Sequence, residues 1–110
     1  MVTVNADRNP SYRSNSGEST KDKVFLLSIT EAEKYFTSDS ALKCKLTAYA
    51  EKQGMYTNSD GFFWWWLRSP GFSLTYAAYV RSYGFVEKLG GDVDNDDNAV
   101  RPALWINLNP

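Results

Sequence analysis

Gly61-Phe62-Phe63-Trp64-Trp65-Trp66-Leu67-Arg68-Ser69-Pro70-Gly71 places three of the chain's four tryptophans in consecutive positions, and the fold is read outward from this run. In an extended strand Trp64, Trp66 and Arg68 point to one face and Trp65, Leu67 and Ser69 to the other. Both faces then carry large side chains, which is the pattern of a central, two-sided strand. Gly61 in front and Pro70-Gly71 behind end the run, because proline has no N–H for a ladder and glycine accepts turn dihedrals.

Downstream the period stays alternating. Residues 76–82 and 85–89 form two extended runs separated by Tyr83-Gly84, which reads as a two-residue hairpin turn. Gly90-Gly91 breaks the second run and an acidic turn over 92–98 follows. The last stretch, 100–108, alternates apolar residues at 104, 106 and 108 and is expected to close the sheet, with Pro102 marking an edge or bulge.

Upstream the signals are helical. Residues 23–28, centred on Val24-Phe25-Leu26-Leu27, have the length of a short buried strand. Thr30-Glu31-Ala32-Glu33 reads as a capping box opening a helix whose apolar face is Ala32, Tyr35 and Phe36. Ser38-Asp39-Ser40 interrupts it, and residues 41–45 form another helical turn. Thr47 reads as the N-cap of a third segment over 48–53, stopped by Gly54. Residues 1–22 are polar and rich in turn formers and read as a loop or tail, leaving 23–110 as one domain. Short helices followed by a twisted antiparallel sheet define an α+β class rather than a parallel β-α-β one.

Composition excludes several functions. A chain of 110 residues buries roughly two-thirds of its unfolded surface as one domain. Twelve basic and thirteen acidic residues leave a net charge of -1 with no basic run, so no nucleic-acid grip is expected. The longest apolar run, 62–67, is too short to span a bilayer, and the opening residues carry no signal-peptide pattern. A single cysteine excludes an internal disulfide. Cys44, between Lys43 and Lys45, is read first as a semi-buried side chain; the competing reading is a thiol activated by its lysine neighbours.

The chain contains no histidine, which removes imidazole bases and His-based triads or zinc sites from its own chemistry. Glu87, Asp92, Asp94, Asp96 and Asp97 are the carboxylates from which a catalytic pair would come, but acidic residues gathered in one turn are usually solvated. The turn also has the spacing of an EF-hand start, yet Asp97 stands where glycine is required and Ala103 where a bidentate glutamate is required. An irregular calcium site from Asp92, Asp94, Asp96 and Asp97 competes with an exposed charged connection. Trp65 and Trp66 are assigned to the core and Trp105 to a structural role, while Trp64 lines a groove with Tyr76, Tyr79 and Tyr83 for a glycan or protein ligand. Arg68 and Arg101 are assigned structural roles, stacking on indoles or bridging strand ends.

The ordered motifs at 23–28, 31–36, 47–50, 65–71, 77–80 and 100–106 resemble an uncharacterised bacterial domain family found in larger, often surface-associated or secreted proteins. The resemblance covers residues 21–108. It implies that this chain is the C-terminal part of a longer domain, beside other domains of a parent chain, with an extracellular or cell-surface location. More distantly, the order of the Trp-Trp strand, hairpin and Val-Arg strand is similar to the C-type-lectin-like group that includes formylglycine-generating-enzyme-like domains. The sugar-binding triplets, the Trp-Asn-Asp calcium motif and the cysteine pair of that group are all missing, so no activity transfers with the likeness. The expectation is a non-enzymatic recognition module without cofactor, calcium aside. A structural or assembly domain is the alternative, and a degenerate enzyme-like domain a third.

Overall fold

In a computed structural model the chain describes residues 2–12, 14, 16–54, 57–95 and 97–106. Strands β1 (Val2–Val4) and β2 (Thr20–Asp22) precede helices α1 (Ile29–Tyr35), α2 (Asp39–Leu42) and α3 (Ala48–Lys52). Strands β3 (Trp65–Pro70), β4 (Tyr76–Val80) and β5 (Val86–Asp92) follow. The fold is α+β, with β1 and β2 paired antiparallel and a second antiparallel sheet in the order β3-β4-β5.

The alternation read in the tryptophan run holds along β3: Trp65, Leu67 and Ser69 are buried, while Trp66 and Arg68 are half-buried. The strand is not central, however. It lies at one end of the sheet, and its outer edge is closed by single backbone bonds. Ala99 N–H donates to Trp64 O at 2.7 Å, Trp66 N–H to Ala99 O at 3.1 Å, and Arg68 N–H to Leu27 O at 2.9 Å. Irregular segments thus satisfy an edge that would otherwise invite a further strand.

The flanking runs accordingly differ from their expected form. Residues 23–28 contribute one bridge, Phe25 to Ala103, not a strand. The closing strand over 100–108 is likewise replaced by bridges at Ala99 and Ala103, with Leu104, Trp105 and Ile106 exposed. Asn107 and Leu108 lie outside the described residues. Apolar alternation there reflects an uncovered strip, not sheet burial.

Helix α1 starts two residues earlier than its sequence signal. Ser28 is the N-cap: its Oγ accepts from Glu31 N–H at 3.1 Å, and Glu31 Oε1 accepts from Ser28 N–H at 3.0 Å. Both Ser-x-x-Glu and Thr-x-x-Glu are present; Ser28 wins because the earlier start buries Ile29 and Ala32 together. Tyr35 is exposed, its ring edge-on to Trp105 at 5.7 Å. The second helical turn is N-capped by Ser38 and ends at Leu42. The third helix has the expected Thr47 cap, Oγ1 accepting from Ala50 N–H at 3.2 Å, and Gly54 follows at φ 79°.

The β4–β5 connection is a loop over 81–85, not a two-residue turn, since Val80 pairs with Val86. Arg81 N–H donates to Phe85 O at 2.8 Å and Gly84 N–H to Arg81 O at 2.8 Å. Nor does Gly90-Gly91 end the strand: β5 runs to Asp92 across a register shift. Beside Ala78 both neighbours bulge. Pairing passes from Trp66↔Tyr79 to Pro70↔Ala77 on one side and from Tyr79↔Glu87 to Ala77↔Gly91 on the other. Gly90, at φ 84°, makes the second bulge feasible, because a Cβ there would lie 2.6 Å from Ala77 O.

The bulged carbonyls are satisfied by Asn9, which is fully buried; its Nδ2 donates to Pro70 O at 2.9 Å and Lys88 O at 2.6 Å. Residues read as a polar loop or tail therefore carry β1, β2 and a buried polar plug. Low hydrophobicity concealed this because the attachment is by hydrogen bonds.

The core comprises Ile29, Ala32, Leu42, Phe63, Trp65, Leu67, Ala78, Val80 and Ala99. Trp65 is its largest member, with Nε1 donating to Leu42 O at 3.0 Å. Arg101 lies over the rings of Trp65 at 4.9 Å and Phe36 at 4.7 Å. Ser69 Oγ accepts the N–H of Ile29 at 2.9 Å, one of the helix-start donors that α1 itself cannot pair. Ser69→Ala leaves that donor buried and is expected to cost about 1–3 kcal/mol in urea unfolding. Arg101→Ala, by loss of its two ring contacts, is expected to cost about 0.5–2 kcal/mol; an unchanged melting temperature would refute its structural role.

Candidate functional site

A groove of about 720 Å³ opens between residues 44–53 and residues 93–102. Each wall is fixed by backbone. Phe63 N–H donates to Cys44 O at 3.1 Å, holding the lead-in to α3, and the Ala99 bridge to Trp65 holds the far side of the acidic turn. Phe63, Trp66 and Ala99 lie along the groove, and Tyr49, Val93 and Val100 stand exposed on its sides.

Asn98 is the unusual group. It is only 8 % exposed and lines this groove, and its Oδ1 has no hydrogen-bond partner among the described residues. Buried polar atoms are overwhelmingly paired, since an unpaired one costs about 1–3 kcal/mol. No sequence signal singled out Asn98, which sits in a run of turn formers. Cys44 lines the same groove. Burial pushes its thiol pKa up and the nearby Arg101 charge only partly reverses this, so the thiol stays protonated near neutral pH.

Behind the groove lies an aromatic stack. Trp64 stacks on Tyr79 at 5.8 Å and 27°, and Trp66 meets Tyr79 edge-on at 6.1 Å. The Arg81 guanidinium lies over Tyr79 at 5.6 Å and Trp64 at 5.9 Å and pairs with Glu87 at 3.1 Å. Burial raises the Tyr79 hydroxyl pKa; Arg81 opposes this, while Glu87 and Tyr83 add to it. Arg81 is itself shifted up: burial works against its charge, but the Glu87 hydrogen bond and the electrostatic contributions of Tyr79, Glu87 and Tyr83 prevail.

The tyrosine groove expected around Trp64 is thus only partly assembled. Tyr79 is 7 % exposed and serves as the floor of the tryptophan stack. Tyr83, on the 81–85 loop, is exposed and tilted against Phe85 at 6.2 Å. Tyr76, beyond the bulges, packs edge-on against Phe72 at 4.7 Å, away from this stack. Trp66, assigned to the core from sequence, is half-buried and lines the groove. Trp105 is 54 % exposed, its ring against Tyr35.

In the acidic turn, Asp92 Oδ1 accepts from Asp94 N–H at 3.0 Å and Asn95 Oδ1 from Asp97 N–H at 2.8 Å. These side chains brace the turn. Asp96 lies outside the described residues, and among the described residues no group of three or more His, Cys, Asp or Glu is placed to hold a metal ion. Nor is any helix among them long and apolar enough to cross a membrane.

A small α+β domain with an open, largely apolar groove and a buried acceptor unpaired among the described residues is the class these features define. The chain belongs to the family described as "Domain of unknown function (DUF6273)", whose profile matches residues 1–108. Neither a curated protein nor a solved structure matches it significantly.

Because Oδ1 of Asn98 has no donor to lose, Asn98→Leu is expected to leave the melting temperature unchanged or slightly raised. A loss above about 1 kcal/mol would reveal a partner for that oxygen within the fold.

Proposed function

We propose that the chain is a non-enzymatic recognition module of C-type-lectin-like architecture, carried by a bacterial surface or secreted protein, and that it binds a glycan or protein ligand. The observation that carries this reading is the Asn98 Oδ1, buried at the side of an open groove without a donor. A ligand N–H or O–H satisfies it at little cost of reorganisation, since the adjoining backbone is pinned through both the N–H and the carbonyl of Ala99. The half-buried Trp66 supplies apolar surface next to it, the usual composition of a ligand site with few, well-placed polar groups. The protonated thiol of Cys44 and the lack of histidine favour binding over group-transfer chemistry.

The exposed strip of Leu104, Trp105 and Ile106 favours a second reading, an assembly domain whose strip packs against another part of a parent chain. Thermal unfolding followed by tryptophan fluorescence, with a panel of sugars and short peptides, separates the two. A ligand at a hundred times its dissociation constant adds about 2.7 kcal/mol of stability. The recognition reading expects such a shift, and its loss in Asn98→Leu. Cooperative melting indifferent to every compound would favour the assembly reading.

A further inference from the structure

The recognition reading leaves the ligand class open, and the groove's chemistry narrows it. Leu46, Ala50, Phe63, Trp66, Val93 and Val100 make its surface mainly apolar. Against that surface Asn98 Oδ1 is the buried side-chain acceptor left without a partner among the described residues. A saccharide brings several hydroxyls, each of which costs free energy when taken from water unpaired. An apolar side chain with one adjacent N–H matches the apolar surface and the one buried acceptor left unpaired among the described residues, while Thr47, Gln53 and Asn95 line the remaining wall.

Charge adds a direction. Asp94 stands on the acidic-turn side and Lys45 on the opposite side. Among the described residues the ion pairs are Arg68–Glu31, Arg81–Glu87 and Lys88–Glu33, so no cation among those residues pairs with the carboxylates of Asp92, Asp94 and Asp97. Lys45 is directed over the Phe62 ring, 5.5 Å from its centroid. The acidic side therefore offers a partner carboxylates with no ion pair among the described residues.

We propose, resting on the recognition reading, that the groove takes an extended peptide segment of a protein partner. One apolar side chain packs against Trp66 and Phe63, an N–H of the segment donates to Asn98 Oδ1, and a neighbouring lysine or arginine lies beside Asp94. The groove, at about 720 Å³, falls within the size range of ordinary ligand pockets.

The test is selection of a phage-displayed library of random linear peptides on the immobilised chain, followed by affinity measurement of synthetic copies. The expected result is enrichment of an apolar residue next to lysine or arginine. Binding should weaken about tenfold or more in Asn98→Leu and in Ala50→Arg, which blocks the groove from α3, and by a smaller, salt-dependent factor in Asp94→Asn. Melting curves establish that each variant folds; if Asn98→Leu does not, Ala50→Arg decides. Failure to enrich any peptide, or peptides that bind wild type, Asn98→Leu and Ala50→Arg equally, would overturn the proposal. A sugar that raises the melting temperature through Asn98 while peptides fail would overturn the peptide assignment alone. Indifference to both sugars and peptides would take the recognition reading down with it.

Discussion

One side chain joins four separate stretches of this chain at a single point. The Arg68 guanidinium pairs with the Glu31 carboxylate through Nη1 and, at 3.2 Å, through Nη2. It also donates to Leu26 O at 2.9 Å and, from Nη2, to Asn5 O at 3.0 Å, and it lies over the Phe25 ring at 5.8 Å. Strand β3, the start of α1, the 25–27 segment and the chain just after β1 are thereby held at one point. A planar, multiply donating cation suits that task in a way lysine does not. Glu31 is equally committed, because the same carboxylate completes the capping box through Ser28 N–H.

That clamp accounts for the shape of the rest. With α1 fixed at its N-terminus by Arg68 and Ser69, its apolar side drops onto Trp65 and Leu67, and Phe36 reaches the Trp65 ring edge-on at 6.4 Å. Arg101 and Leu42 O then complete the surroundings of Trp65 from the other side. The groove lies beyond this packed region, between the third helix and the acidic turn. Its walls are anchored to β3 by a few backbone bonds, and its interior carries an acceptor the fold does not use.

How much of this was legible follows from which interactions have a local signature. The face alternation of Trp65, Leu67 and Ser69, the Thr47 cap and the Gly54 stop rest on neighbours a few residues apart, and all appear in the structure. The α1 start was displaced because Ser28 and Thr30 both sit three residues before a glutamate, and only tertiary packing of Ile29 decides between them. The Asn9 plug and the Arg68 hub depend on bonds spanning from 37 to 79 residues, and the N-terminal strands on the pairing of Val2 with Asp22 and Val4 with Thr20; no local pattern encodes either. The candidate site was less legible still. Tyr79 and Trp64 do meet, but Tyr76, three residues before Tyr79 on β4, points to the opposite face and packs on Phe72, and Asn98 is set apart from the preceding turn formers only by its burial.

The clamp carries a pH signature. Burial raises the Glu31 pKa, but hydrogen bonds from Arg68 and Ser28 and the Arg68 charge outweigh it, so the folded-state value lies below the ordinary one near 4.5. A depressed carboxyl pKa stabilises the fold above the unfolded-state value, and that contribution is lost as pH falls toward the folded-state value. The decisive measurement is urea unfolding of the wild type and Glu31→Gln across neutral to acidic pH. The wild type is expected to be the more stable at neutral pH, with an advantage that shrinks as pH falls below about 4.5. A stability difference that is absent at neutral pH, or that does not change with acidification, would contradict the Arg68–Glu31 clamp as the organising contact.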